Sequence, residues 1–451
     1  MRSEQHHARS SRLFHSIYLH EREVKSLAQY KVIIQIPKSP ANNRQRLFAY
    51  VGVNSNILVA YCLGPFWRRM VKILPRWVHP NILTIFGFFT VLIACCATEL
   101  YARHVGPLPI LSNPSTNPLF YIAIGVLIAL YHHSDGMDGC QARRLGLSSP
   151  IGELLDHGID SWIFGMILYI ISRLINYQHY TYRLSIISIA VFLTHWEKQY
   201  TNVFVLDCAL DSTLLFVSSL LTILYFFPML FEDQFTLATS VLACEVLINL
   251  LILIFVYHSW SRVLHALRRK YSGQLLVYNF LCTFVKFLPI IGTNLMFILW
   301  DIASPNKISK LYPFTFAWCH FTLLSHLICH TIIESMTGIS STCNNKHSSS
   351  LSTGSNGSVG QEGESNQNST MHYFWNNCWD SLMTPVLVSI IYIRLFGNIS
   401  VQNEWNILKL LAITITGTQI HYGVCIFRQL CQIYDFNFFI ITPAMTNRKI
   451  K

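Results

Sequence analysis

Charge is what this chain has least of: Asp, Glu, Lys and Arg make up only 12% of its 451 residues. A soluble domain covers its surface with roughly 25–35% charged residues, so a soluble exterior is excluded, and a mean hydropathy of +0.38 agrees. Nor is a cleavable leader expected. The first fifty residues, with HHARSSR and HEREVK, contain no apolar core of the kind a signal peptide needs, so the first spanning helix is expected to direct membrane entry. None of the 13 cysteines forms a CxxC pair, and Cys95, Cys96, Cys244, Cys282 and Cys329 lie inside apolar runs. They read as small buried residues rather than a disulfide framework or a zinc site. No internal repeat is visible, which argues against a transporter built from two related halves.

What is present is a series of apolar runs near the length that a bilayer core of roughly 30 Å demands of a helix. About ten are expected, near 82–101, 118–133, 161–176, 184–201, 213–231, 236–257, 275–299, 311–333, 382–397 and 408–427. The fold class is therefore all-α, a polytopic membrane protein. Before the first run, LGPFWRRMVKILPRWVHPN mixes Phe66, Trp67, Ile73 and Trp77 with basic residues, the composition of a helix lying in the headgroup plane. The expected organisation is a polar arm at 1–57, an interfacial helix at 58–80, the main helical body at 81–333, a low-complexity loop at 338–370, further spans at 382–427 and a basic tail at 428–451. The Ser/Asn/Gly tract at 338–370 cannot bury a core and is expected to be disordered.

The formal net charge is +11, concentrated in clusters such as Arg68, Arg69, Lys72 and Arg76, then Arg268, Arg269 and Lys270. In a membrane protein such clusters mark the cytosolic side, so no nucleic-acid partner is expected and both termini are placed in the cytosol. The sequons at Asn356 and Asn368 then face the cytosol as well.

Against this apolar background, residues 135–160 stand out: DGMDGCQARRLGLSSPIGELLDHGID. Asp135, Asp138 and Ala142 fall at i, i+3 and i+7, and Gly152, Asp156 and Asp160 at i, i+4 and i+8, so each set shares one helix face. LGLSSP between them is turn-rich. Two helices are expected, one ending and one beginning, with their aspartate faces opposed. Four carboxylates in a partly dehydrated site repel and need compensation, and oxygen-only ligands favour hard ions such as Mg²⁺ or Mn²⁺. Two ions held by shared aspartates can grip a diphosphate during displacement at phosphorus. Gly139 and Gly152 leave space for a substrate beside the backbone, and Arg143 offers a fork suited to phosphate oxygens.

The stretch resembles the signature of the CDP-alcohol phosphatidyltransferase family, D-x-x-D-G-x-x-A-R-x(8)-G-x-x-x-D-x-x-x-D, at all eight fixed positions: Asp135, Asp138, Gly139, Ala142, Arg143, Gly152, Asp156 and Asp160. WVHPN, THWEKQYTNVF and IHYGVCIFRQL extend the resemblance to the eukaryotic choline and ethanolamine phosphotransferase branch, and Trp162, HWEK and IHYGV are more similar to its ethanolamine-specific members. The resemblance implies a two-ion Mg²⁺ or Mn²⁺ site on the four aspartates, with Asp160 as proton acceptor. It also implies CDP-ethanolamine or CDP-choline and diacylglycerol as substrates, a homodimer, and an endoplasmic reticulum or Golgi membrane. His157 is a second candidate for the proton, because its ordinary pKa lies near neutrality. Asn81 resembles a family position that contacts the CDP-alcohol, and His195 and Glu197 are candidates for a headgroup or hydroxyl contact, whereas Glu245 and His421 read as interior residues. One departure is Cys140, where the branch usually carries lysine.

Overall fold

The computed structural model describes residues 59–105, 117–174, 180–201, 234–337, 382–395 and 399–434. Every regular element in them is helical. A π-helical turn at Val59–Leu63 leads into α1 (Gly64–Ile73), followed by α2 (Pro80–Val105), α3 (Pro118–Leu145), α4 (Pro150–Leu174) and α5 (Tyr180–Thr201). Then come α6 (Gln234–Lys270), α7 (Gly273–Val285), α8 (Leu288–Ala303), the single turn α9 (Ile308–Leu311), α10 (Pro313–Thr337), α11 (Met383–Leu395) and α12 (Val401–Tyr434). Among the described residues, five helical stretches are long and apolar enough to cross a membrane: Pro80–Val105, Pro150–Leu174, Gly273–Ala303, Pro313–Met336 and Val401–Gln432. The expected run at 213–231 and the tract at 338–370 lie outside the described residues.

Proline sets several starts. It supplies the first residue of α2, α3, α4 and α10, where its missing N–H leaves no bond unmade. The end of α1 follows from Pro75, which forces Leu74 into an extended conformation (ψ 136°). The helical part of 58–80 therefore stops at Ile73. The expected run 275–299 is not one straight helix: α7 and α8 are separated at Lys286 and Phe287. Pro289 cannot continue the ladder, and the Lys286 ammonium turns to Glu334 of α10 at 3.1 Å. At the other extreme, α6 runs on through Arg268, Arg269 and Lys270, whose charges suit the negative end of the helix dipole.

The bundle is organised around α2, which packs along both α3 and α4, while α4 lies in turn against α10. Val91, Ala94 and Cys95 of α2, Ile124 and Ile128 of α3, Ile163, Met166 and Ile170 of α4, and Phe316 and Phe321 of α10 belong to one buried core. A second core joins the start of α4 to α5, α6, α10 and α12 through Ile151, Leu193, Trp196, Val263, Ile328 and Ile426. Outward, α2 presents Phe86, Phe89, Ile93 and Leu100, and α12 presents Leu410, Ile413, Ile420 and Val424, all exposed. Such apolar stripes suit lipid tails and not water. His421, expected inside, is exposed on α12 one turn from Cys425.

Gly165 lets α4 lie close against α10, since a Cβ there would sit 2.3 Å from Cβ of Phe321. We predict that Gly165→Ala forces these backbones apart and costs about 1–3 kcal/mol, measured as a lower thermal unfolding temperature in detergent.

Candidate active site

The site forms where α3 ends and α4 begins. α3 stops at Gly146, which takes a left-handed conformation (φ 70°) that glycine adopts without strain. The Leu147 N–H reaches back to the Ala142 carbonyl at 2.8 Å, closing the helix end. Three residues later Pro150 opens α4, and Ser149 Oγ accepts the Gly152 N–H at 3.1 Å, a side-chain cap on the new helix. This tight reversal makes the aspartate faces of α3 and α4 meet.

One carboxylate oxygen each from Asp135, Asp156 and Asp160 can be chosen so that all three lie within 4.8 Å of one another. Asp138 stands beside this trio but is held differently: its Oδ2 accepts the Thr84 hydroxyl of α2 at 2.5 Å. Asp160 Oδ1 accepts the Tyr131 hydroxyl at 2.8 Å. Oδ1 of Asp156 is buried with no hydrogen-bond partner. Unit charges 4 Å apart repel by about 4 kcal/mol at the effective dielectric near a protein surface, so this arrangement calls for cations. Donors that are all oxygen, with one buried carboxylate oxygen unspent, fit Mg²⁺ or Mn²⁺.

The remaining residues singled out in the sequence fall into two groups. Arg143 lies over Gly139, where an added Cβ would meet its Nη1 at 3.3 Å. Its Nη2 donates to Cys140 Sγ at 3.4 Å, and its charge acts on Asp156. Gly152 faces Asn81, whose Oδ1 would lie 3.7 Å from a Cβ at that glycine. Ala142 is half-buried on the same helix as Arg143. His157 meets the ring of His195 edge-on at 5.2 Å. The second group is Glu197, which is 1% exposed and accepts bonds from Ser259 at 2.7 Å and from Arg262 at 2.5 and 2.9 Å. This bidentate pair fastens α5 to α6.

Three participants escaped the sequence reading: Thr84, Tyr131 and His79. The only signal for the first two was helical phase, Thr84 three residues after Asn81 and Tyr131 four before Asp135. His79 Nδ1 accepts the Asn81 N–H at 3.2 Å. Burial lowers its imidazole to about 4, so the ring is neutral near pH 7 and free to accept that bond.

Arg144, adjacent to Arg143 but about 100° around the helix, does different work. It donates to the carbonyls of Val71 and of Leu74, the latter at 2.9 Å. Gln141 donates to the Val78 carbonyl at 3.0 Å, and Trp67 Nε1 donates to His133 Nδ1 at 3.1 Å. Together they fasten α1 and the segment leading to Asn81 onto α3. Charge-assisted bonds of this kind are worth about 1.5–3 kcal/mol. Arg144→Ala should accordingly speed amide hydrogen exchange in residues 64–79 by about tenfold or more, measured by mass spectrometry with α4 peptides as the internal reference.

Residues 77–201 match the family model of CDP-alcohol phosphatidyltransferase. The chain is 26% identical over 423 residues to ethanolaminephosphotransferase 1 of Homo sapiens, an alignment that spans 86% of this chain and 91% of that protein. It is 28% identical over 288 residues to choline/ethanolaminephosphotransferase 1 of Arabidopsis thaliana, covering 59% and 70%. It is 31% identical over 171 residues to cholinephosphotransferase 1 of Saccharomyces cerevisiae, covering 37% and 41%.

Proposed function

We propose that this chain, which carries a CDP-alcohol phosphatidyltransferase domain and is a transferase of that type, moves phosphoethanolamine from CDP-ethanolamine to diacylglycerol or its alkyl-acyl and alkenyl-acyl analogues. The observation that carries this reading is the convergence of Asp135, Asp156 and Asp160 at the mouth of α3 and α4, with Arg143 alongside and Asn81 facing Gly152.

In the reaction the lipid hydroxyl oxygen bonds to the phosphorus that bears the ethanolamine. The bond from that phosphorus to the bridging oxygen breaks, and CMP leaves with the electron pair. Asp160, with His157 as the alternative, takes the hydroxyl proton. Mg²⁺ or Mn²⁺ held by Asp135, Asp138, Asp156 and Asp160 would supply two ions' worth of positive charge to offset the diphosphate. Arg143 serves the same end as a fixed cation whose fork matches phosphate oxygens. Gly139, Ala142 and Gly152 keep the approach to the backbone open, and Asn81 binds the CDP-alcohol. A headgroup ammonium reaching Glu197 would have to share that carboxylate with Arg262.

One substrate is a membrane lipid and the other a soluble nucleotide, so a site at the ends of helices apolar enough to span a bilayer serves both. We place that site on the cytosolic face of the endoplasmic reticulum or Golgi membrane, in a multi-pass homodimer of about ten spans with α1 lying in the interface. Ethanolamine is favoured because an alignment over 86% of the chain is to a protein named for it. The second reading, CDP-choline alone or both headgroups, is supported by the relatives named for choline and for both alcohols.

Reconstituted protein with Mg²⁺ or Mn²⁺ should release CMP from CDP-ethanolamine faster than from CDP-choline, and equal or greater turnover of CDP-choline would overturn the headgroup assignment. Asp160→Asn should lower CMP release by about 10²–10⁴-fold. Chelation with EDTA should abolish it, with recovery on adding back either ion.

A further inference from the structure

The carboxylates are not left to find their own orientation. Two of them are gripped by hydroxyls that no feature of the aspartate signature specifies, and both grips depend on one face of α2. Thr84 and Gly87 lie three residues apart on that helix and so share a face. Thr84 is 7% exposed and donates to Asp138 Oδ2 at 2.5 Å. One helical turn on, a Cβ at Gly87 would stand 3.1 Å from Cδ2 of Tyr131, so the missing side chain is what lets the Tyr131 ring lie against α2. From there Tyr131, 3% exposed, donates its hydroxyl to Asp160 Oδ1 at 2.8 Å.

We infer that α2 orients the site, and that Thr84 and Tyr131 are positioning residues that hold Asp138 and Asp160 where a divalent cation can be shared. The inference rests on the function proposed above and deepens it. A carboxylate has about four lone-pair directions, and a single hydroxyl occupies one, so each grip fixes rotation while leaving capacity for a metal. Hydrogen bonds to ligating carboxylates contribute to metal affinity in this way, and their loss typically costs about 10–100-fold. A purely apolar role for Tyr131 makes a different demand, because phenylalanine fills the same space.

The test is Mn²⁺ binding by the purified full chain in lipid nanodiscs, without nucleotide, titrated by electron paramagnetic resonance. Tyr131→Phe and Thr84→Val should each bind Mn²⁺ about 10–100-fold more weakly than wild type, with cooperative thermal unfolding retained in EDTA. Thr84→Ser, which keeps the hydroxyl, should restore wild-type affinity. In turnover, Tyr131→Phe should lower kcat and leave KM for CDP-ethanolamine unchanged. Wild-type Mn²⁺ affinity in both Tyr131→Phe and Thr84→Val would overturn the inference. So would a failure of Thr84→Ser to restore Mn²⁺ affinity, which would make the residue a packing element rather than a hydroxyl donor. The affinities read the inference and CMP release by wild type reads the function, so either can fail alone.

Discussion

Repulsion among carboxylates is the constraint on which the rest of this structure depends. Asp135, Asp156 and Asp160 come within 4.8 Å of one another in a chain that is otherwise poor in charge, and Asp138 adds a fourth negative group beside them. Nothing in an apolar bundle assembles such a group by default. The assembly requires two helix ends brought face to face by a left-handed glycine, a serine cap and a proline, and it requires a third helix that meets both. α2 is that helix. Its contacts with α3 and α4 set the separation at which the aspartates oppose, and Thr84 and Gly87 lie on the face turned to α3.

The segment before α2 is tied to the same place. Trp67 lies against Gly136, one residue from Asp135, so closely that a Cβ there would come within 2.3 Å of the indole. Arg144 occupies the carbonyls of Val71 and Leu74 and Gln141 that of Val78, and His79 then holds the backbone of Asn81. Through this chain of bonds, the amphipathic α1 is tied to the helix that carries the first two aspartates. The QARR sequence thus divides its work: Arg143 stays near Asp156 and Arg144 fastens the neighbouring segment.

The aspartate spacings of three and four already specify helices and faces, and LGLSSP already reads as the turn between them, because both depend on local geometry alone. Partnerships across the bundle are different. A threonine or tyrosine within an apolar run is ordinary in a membrane helix, and only packing shows that Thr84 and Tyr131 reach carboxylates. Arg143 and Arg144 are indistinguishable as letters, since their roles differ by the 100° of a single helical step. Glu197 reads as an intramembrane acid free to meet a substrate until Arg262, 65 residues away, is seen to hold it. Hydropathy also passes smoothly over Lys286, where the chain breaks between α7 and α8. Pro289 was the local sign, and the pairing of Lys286 with Glu334 was not visible.

If cation binding is what makes the carboxylate cluster tolerable, neutralising one member should help the metal-free protein and harm the metal-bound one. Thermal unfolding of wild type and Asp156→Asn, each in EDTA and in Mn²⁺, measures this directly. Asp156→Asn should unfold at a higher temperature than wild type in EDTA, and Mn²⁺ should raise the wild type well above its EDTA value while raising the variant little. A variant no more stable than wild type in EDTA, together with equal gains from Mn²⁺ in both proteins, would contradict it.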